Sequence, residues 1–378
     1  MTSCQKFSSI SLFRKIQSTC TQAITAPLGS AVYREKGIRK MKPIKRLLQI
    51  TAFLPALLIA GQCFAESIVT TIPGSEPSAV DADPITRRVY VASFFTPTIQ
   101  VISEETNTVV DTITFPPGPD GQLPEFDGVA VNPVTSRLYA SDPRAGLVYV
   151  VDIQHGNQIL THIPAPAANG IAVNPRTNKI YVSALFPSTV TIIDGKTNTV
   201  SNTLSVPLAL KATVDIFNNR VYVPSQNFIG QVFVFDGKTD ALIAQIQTGN
   251  FTTSVGIDFL RHLAYASNQG FTPDTDTLSI IDTNTNTVIG TILTDQSPGP
   301  VAVNPFTNRI YVATSFQPQD VVDIIDGNTR QIINRLPVEP SPADSVIDLV
   351  HHSLYIASPN FLLDVPGGNV TTVIDTRP

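Results

Sequence analysis

The chain has 378 residues, 42% hydrophobic and 15% charged, with 30 Pro, 21 Gly, 3 Cys and no Trp. That apolar content excludes a disordered chain, and Pro and Gly without a Gly-x-y period exclude collagen. A formal net charge of −5 excludes a broadly basic nucleic-acid binder.

Residues 1–40 read as an over-long start or a polar extension. From Met41 the chain reads Met-Lys-Pro-Ile-Lys-Arg, followed by an apolar stretch from Leu47 to Ala60 and then Cys63-Phe64-Ala65-Glu66. A basic start, a short apolar middle and a small residue at the end describe a secretory signal peptide over 41–65. The apolar run is short for a membrane span. Gln62 before Cys63 argues against a lipid-modified cysteine. The expected location is therefore outside the cytoplasm: periplasm, cell surface or secreted. The first 65 residues contain all three Cys, 10 of the 25 Lys and Arg, and one of the 30 Asp and Glu. The remaining chain carries 15 basic and 29 acidic residues, a net charge of −14. Without Cys it has no disulfide, thiolate zinc site or iron–sulfur cluster.

From Glu66 onward the chain repeats. Tyr90, Tyr139, Tyr181, Tyr222, Tyr265, Tyr311 and Tyr355 recur at spacings of 41 to 49 residues. Seven residues before each stands Asp83, Asn132, Asn174, Asp215, Asp258, Asn304 or Asp348. The fullest copies read Gly-Ile-Ala-Val-Asn-Pro-Arg-Thr-Asn-Lys-Ile-Tyr-Val-Ser (170–183) and Pro-Val-Ala-Val-Asn-Pro-Phe-Thr-Asn-Arg-Ile-Tyr-Val-Ala (300–313). An apolar run ending in Asp follows, as in Thr189–Asp194, then a Gly/Lys/Thr/Asn turn into Thr-x-Val. Each repeat thus predicts four short strands. The Asx side chain accepts backbone N–H groups two residues on, which sets a tight first hairpin. Four strands per repeat of 40–50 residues predict an all-β, seven-bladed propeller of four-stranded antiparallel blades over 66–378, a single domain. The last repeat stops at its third strand, Val370–Asp375, whereas Ser67–Ile72 reads as a lone fourth strand. The N-terminal strand is therefore expected to complete the last blade and close the ring.

These elements resemble the YVTN-type β-propeller repeat family across essentially all of 66–378. The Val-x-Val-Asn-Pro-x-Thr-Asn-Arg-Ile-Tyr-Val and Val-Ile-Asp-x-x-Thr-Asn-Thr-Val segments carry the likeness. The residues after each Tyr depart from the family's Thr-Asn, and repeats four, five and seven lack the Asn-Pro-x-Thr turn. The resemblance implies an extracytoplasmic propeller and no particular reaction.

Function is expected on the face carrying the long loops, such as 116–127, 269–277 and 359–369. In six repeats a Phe follows the Tyr by four to six residues: Phe94 (with Phe95), Phe186, Phe228, Phe271, Phe316 and Phe361. Two readings stand. Each Phe plugs the gap between blades, the commoner use of an aromatic; alternatively the set forms an aromatic ring that binds a protein or carbohydrate. Asp127, Asn169 and Asp344 fall near inner-strand starts and are the polar candidates for the channel. Asp274-x-Asp276 beside Asn268 offers oxygen ligands for Ca²⁺, but the twelve-residue pattern is absent and a solvated acidic loop is the simpler reading. No other metal or cofactor is expected. His262, His351 and His352 fall in first hairpins, His155 in a third-to-fourth-strand turn and His162 just after, a scatter that disfavours a His-centred metal site or triad. The leading expectation is a monomeric, non-enzymatic binding scaffold acting through the loop-rich face, with no nucleic acid as partner. The alternative is a metal-assisted hydrolase, lactonase or lyase in the central channel.

Overall fold

Every repeat segment rich in Val, Ile, Thr and Tyr becomes a strand. The computed structural model describes residues 66–315, 319–359 and 368–377, and these contain 28 strands in seven four-stranded antiparallel sheets. Blade 1 comprises Pro77–Asp83, Arg88–Ser93, Thr98–Ser103 and Thr108–Thr114, from the inner strand outward. The inner strands of blades 2 to 7 are Gly128–Asn132, Ile171–Asn174, Thr213–Asp215, Thr252–Asp258, Pro298–Asn304 and Asp344–Asp348. The sheets belong to one compact unit, Gly61–Pro378. The extension read over 1–40 and the signal peptide read over 41–65 lie outside the described residues. Among the described residues no helix is long and apolar enough to cross a membrane.

The ring closes as the strand count predicts. Ser67–Pro73 is the outer strand of blade 7 and pairs antiparallel with Val370–Asp375, with Ile68 opposite Ile374 and Ile72 opposite Thr371. This blade is thus built from both ends of the propeller segment, and the pairing covers what would otherwise be an open sheet edge.

The repeat Tyr is the wedge between blades. All seven are buried on the second strand. Tyr139 of blade 2 shares a core cluster with Ile171, Ile180 and Val182 of blade 3. Tyr355 of blade 7 does the same with Val80 and Val89 of blade 1. A large aromatic at each junction fills the gap left where twisted sheets splay apart. The burial is uneven within a blade. Second and third strands such as Arg137–Asp142 and Leu147–Asp152 are buried almost throughout, but inner strands such as Asp344–Asp348 are part-buried and outer strands such as Thr108–Thr114 bury little beyond one residue, here Ile113. Burial thus concentrates in the middle strands: inner strands border the channel, and outer strands separate from their neighbours because the circumference widens outward.

The Asx rule holds in all seven first hairpins. The Oδ1 of Asp83, Asn132, Asn174, Asp215, Asp258, Asn304 and Asp348 accepts the N–H two residues on, at 2.6–3.1 Å. Two residues further along, Arg87, Ser136, Asn178, Asn219, His262, Asn308 and His352 take φ of 52–57°, the left-handed region where Asn sits most easily.

Candidate functional site

The long loops join second to third strands and outer to next inner strands, so they gather on one face. The tight hairpins gather on the other. On the loop face Phe95, Phe186, Phe228 and Phe271 are 58–69% exposed, and Phe94 is half-buried against the edge of Phe95 at 4.9 Å between centroids. The plug reading therefore fails for those four exposed rings. The blade junctions are already filled by the repeat tyrosines and, between blades 1 and 2, by Phe115 and Phe126 against Tyr149. Phe228 and Phe271 instead meet each other at 4.9 Å and Phe251 at 6.0 and 5.2 Å, an aromatic patch across blades 4 and 5. Phe316 and Phe361 lie outside the described residues. In the one repeat without this Phe, Arg144 ties down the 116–127 loop by donating to Asp120 Oδ2 at 2.8 Å and to the Leu123 carbonyl at 2.7 Å.

The residues considered for Ca²⁺ are largely engaged with the protein. Asp276 is buried and accepts the Gly270 N–H at 2.6 Å and the Ser297 N–H at 3.0 Å. Asn268 is buried and bonded to Thr252 and Ser279, while Asp274 is exposed.

The inner strands run along the axial channel. Asp127, Asn169 and Asp344 line one cavity of about 370 Å³ together with Lys211 and Gln269. Asn169 Nδ2 donates to Asp127 Oδ2 at 2.9 Å, and Lys211 Nζ donates to Asp344 Oδ2 at 2.6 Å. The second pair has a simple origin. Lys211 and Asp344 each stand four residues before their repeat Asx, where the other repeats carry Ala79, Gly128, Gly170, Ser254 and Pro300. Small residues keep the channel open, and the two long charged ones meet across it. Burial pushes the Asp127 carboxyl up, against the Asn169 hydrogen bond and with help from the Asp344 charge. Burial alone would lower the Lys211 ammonium, but Asp344 and Asp81 hold it above its ordinary value.

Beyond Lys211, toward the hairpin face, the channel widens into a cavity of about 720 Å³. Its walls are small and branched apolar residues such as Ala172, Ala212, Val255 and Val303, and its mouth carries Phe217, Phe259 and Phe306. Phe217 and Phe259 stack at 3.9 Å, and Phe259 meets Phe306 at 6.0 Å. Asp81 borders this cavity. Burial raises its carboxyl to about 6, although Lys211 and the N–H groups of Val131 and Ala82 oppose the shift.

Sequence reasoning missed three of these features. Asp81 stands where other repeats have residues such as Ala130, Ala172 and Gly256, and that break in a small-residue column was a readable signal. The apolar hairpin tips were readable too, since Ile85, Val134, Phe217, Leu260, Phe306 and Val350 share one column, two residues after the Asx, and all are exposed. The third is a cluster at the ring seam. His351 Nδ1 stands 2.9 Å from both Glu104 Oε2 and Asp348 Oδ2. Burial, then the neighbouring Asp348 charge, pushes the Glu104 carboxyl up to about 8. Asp348, also desolvated, is nonetheless held below the usual range by His351.

No family model matches the chain, and no curated protein matches it by sequence. Solved structures match it by shape. A chain of "Kuenenia stuttgartiensis Hydrazine Synthase" superposes with a TM-score of 0.67 at 15% identity, over 80% of this chain and 96% of its own. A chain of "Structure of U3-55K" gives 0.66 at 11% identity, over 82% and 98%. At these identities the likeness establishes the seven-bladed propeller fold and no activity.

Proposed function

We propose that this chain is an exported propeller of the YVTN-repeat kind that acts as a binding scaffold through its loop-rich face. The observation that carries the reading is the Phe228–Phe251–Phe271 patch, with Phe95 and Phe186 exposed on the same face. Exposed rings that pack on one another cost solvation, and a rigid scaffold that presents them is suited to an apolar or sugar-faced partner. The leader over 41–65 and the Cys-free, acidic remainder support export.

The test is binding to a glycan array and to envelope proteins, using the wild type and a Phe228→Ser/Phe271→Ser variant. Expected is a saturable ligand for the wild type, at least tenfold weaker binding for the variant, and unchanged thermal unfolding. Equal binding by both would overturn the loop-face reading. Export is checked by N-terminal sequencing of the protein recovered from the envelope or medium, with Glu66 expected first.

A second reading, channel hydrolysis, draws support from Asp127, Asn169 and Asp344 sharing one cavity. The Lys211 ammonium on Asp344 Oδ2 disfavours a cation at that oxygen by charge repulsion, so binding is the stronger reading. Turnover of lactone or ester substrates that disappears in Asp344→Asn would reverse this order.

A further inference from the structure

We infer that the seam between blades 7 and 1 holds a divalent transition-metal ion of the zinc class on His351 Nδ1, Asp348 Oδ2 and Glu104 Oε2. The repeats supply an internal control. At the position of His351 the other six repeats carry Thr86, Thr135, Thr177, Asn218, Arg261 and Thr307. At the position of Glu104, just past the third strand, they carry Ile153, Gly195, Gly237, Thr283, Gly327 and Thr376. Both substitutions occur once, and ring closure brings them face to face across a single junction.

The geometry is that of a compact ligand set. The Nδ1 is 2.9 Å from each carboxylate oxygen, and all three atoms lie within 4.8 Å of one another. A tetrahedral zinc ion with bonds of about 2.0 Å spaces its ligands roughly 3.3 Å apart, so only small adjustments are needed. Asp348 keeps its other oxygen on the N–H groups of Val350 and His351, at 2.6 and 3.0 Å, so ligation leaves the hairpin turn intact. Glu104 is the telling member. Its side chain is fully buried, yet neither carboxylate oxygen accepts a well-formed hydrogen bond. The single Nδ1 facing it is shared with Asp348. A buried carboxyl group whose oxygens accept no hydrogen bond is costly. A cation at this point would neutralise two carboxylates and use the imidazole lone pair at once. The His351 side chain is 20% exposed, which gives an ion a route from solvent. His155 shows what the motif does without a third ligand: its Nδ1 meets Asp152 Oδ2 at 3.1 Å, but the ring is largely exposed and no second carboxylate joins it.

The experiment uses the propeller segment from Glu66 to Pro378, stripped with EDTA and returned to chelator-free buffer. Zinc is then titrated by calorimetry, bound metal is counted by mass spectrometry, and thermal unfolding is followed. Expected is one equivalent of zinc per chain, a raised Tm, and no comparable effect from Mg²⁺. Glu104→Gln and His351→Thr should each weaken zinc binding at least tenfold, and His155→Thr should leave it unchanged. His351→Thr restores the residue that four sister repeats carry, so its fold is expected to survive, and circular dichroism of the zinc-free variant checks this. Absence of stoichiometric zinc in the wild type, or equal binding by the Glu104→Gln and His351→Thr variants, overturns the assignment.

Discussion

Tyr139 illustrates how one residue type serves two purposes at different strengths. Its ring is buried at a blade junction, while its hydroxyl has no hydrogen-bond partner. Tyr139→Ala should therefore cost about 3–5 kcal/mol by opening a cavity. Tyr139→Phe should change stability by less than about 1 kcal/mol, since it removes only an unsatisfied group. Urea unfolding of both variants checks the contrast. Arg330 holds φ of 59° at the tip of an exposed turn where sister repeats place Asn107, Asn198 and Asn286. Arg330→Asn should raise stability by roughly 0.5 kcal/mol, because Asn tolerates the left-handed region better. Asp81 offers a test of the channel electrostatics. Its carboxyl stands at about 6 in the fold, above the usual 3.8, so the folded state holds the proton more tightly than the unfolded chain does. The stabilising contribution of this group is complete below about pH 4 and is lost as pH rises through about 6. Carboxyl-carbon NMR should find that titration. Lys211→Met should move it higher still, because the ammonium is what opposes the burial effect.

At the scale of the element, the hairpins were legible because their chemistry is local. An Asx side chain capping the N–H two residues on needs no distant partner, and all seven copies form it. The loop phenylalanines were harder. Sequence spacing put them in one loop position but could not say whether the rings turn inward. The repeat tyrosines, being already at every junction, leave no gap for Phe186 or Phe228 to fill, and that is a fact of packing. The outer strand of blade 7 is the element with the clearest energetic role. Deleting Glu66–Ile72 removes the strand that pairs with Val370–Asp375 on its outer side and uncovers buried Ile374 and Val373. The expected outcome is a fall in Tm of more than 10 °C with aggregation on heating, read by scanning calorimetry with light scattering.

For the whole molecule, closure converts a row of repeats into a ring in which every blade has two neighbours. A circular permutant that begins at Gly74 and carries Ser67–Pro73 after Arg377 through a short Asn-Gly turn should fold with nearly the native Tm. The same strands then pair in the same register, whether blade 7 is assembled from two chain ends or from one. A permutant that loses cooperative unfolding would contradict this picture.

The sequence by itself determined the number of blades, the order of strands, the hairpin chemistry and the manner of closure. These follow from residues that recur at fixed spacing and from a count of strands at the two ends. It also placed Asp127, Asn169 and Asp344 near the channel, since position within a repeat reports distance from the axis. The tertiary structure decided what meets across the ring. Lys211 and Asp344 are 133 residues apart, and Glu104 and His351 are separated by 247. Such pairs are set by the angle between blades and by which junction the closure creates. No local spacing encodes that angle, so the channel ion pair and the seam cluster became readable only once the seven blades stood in a circle.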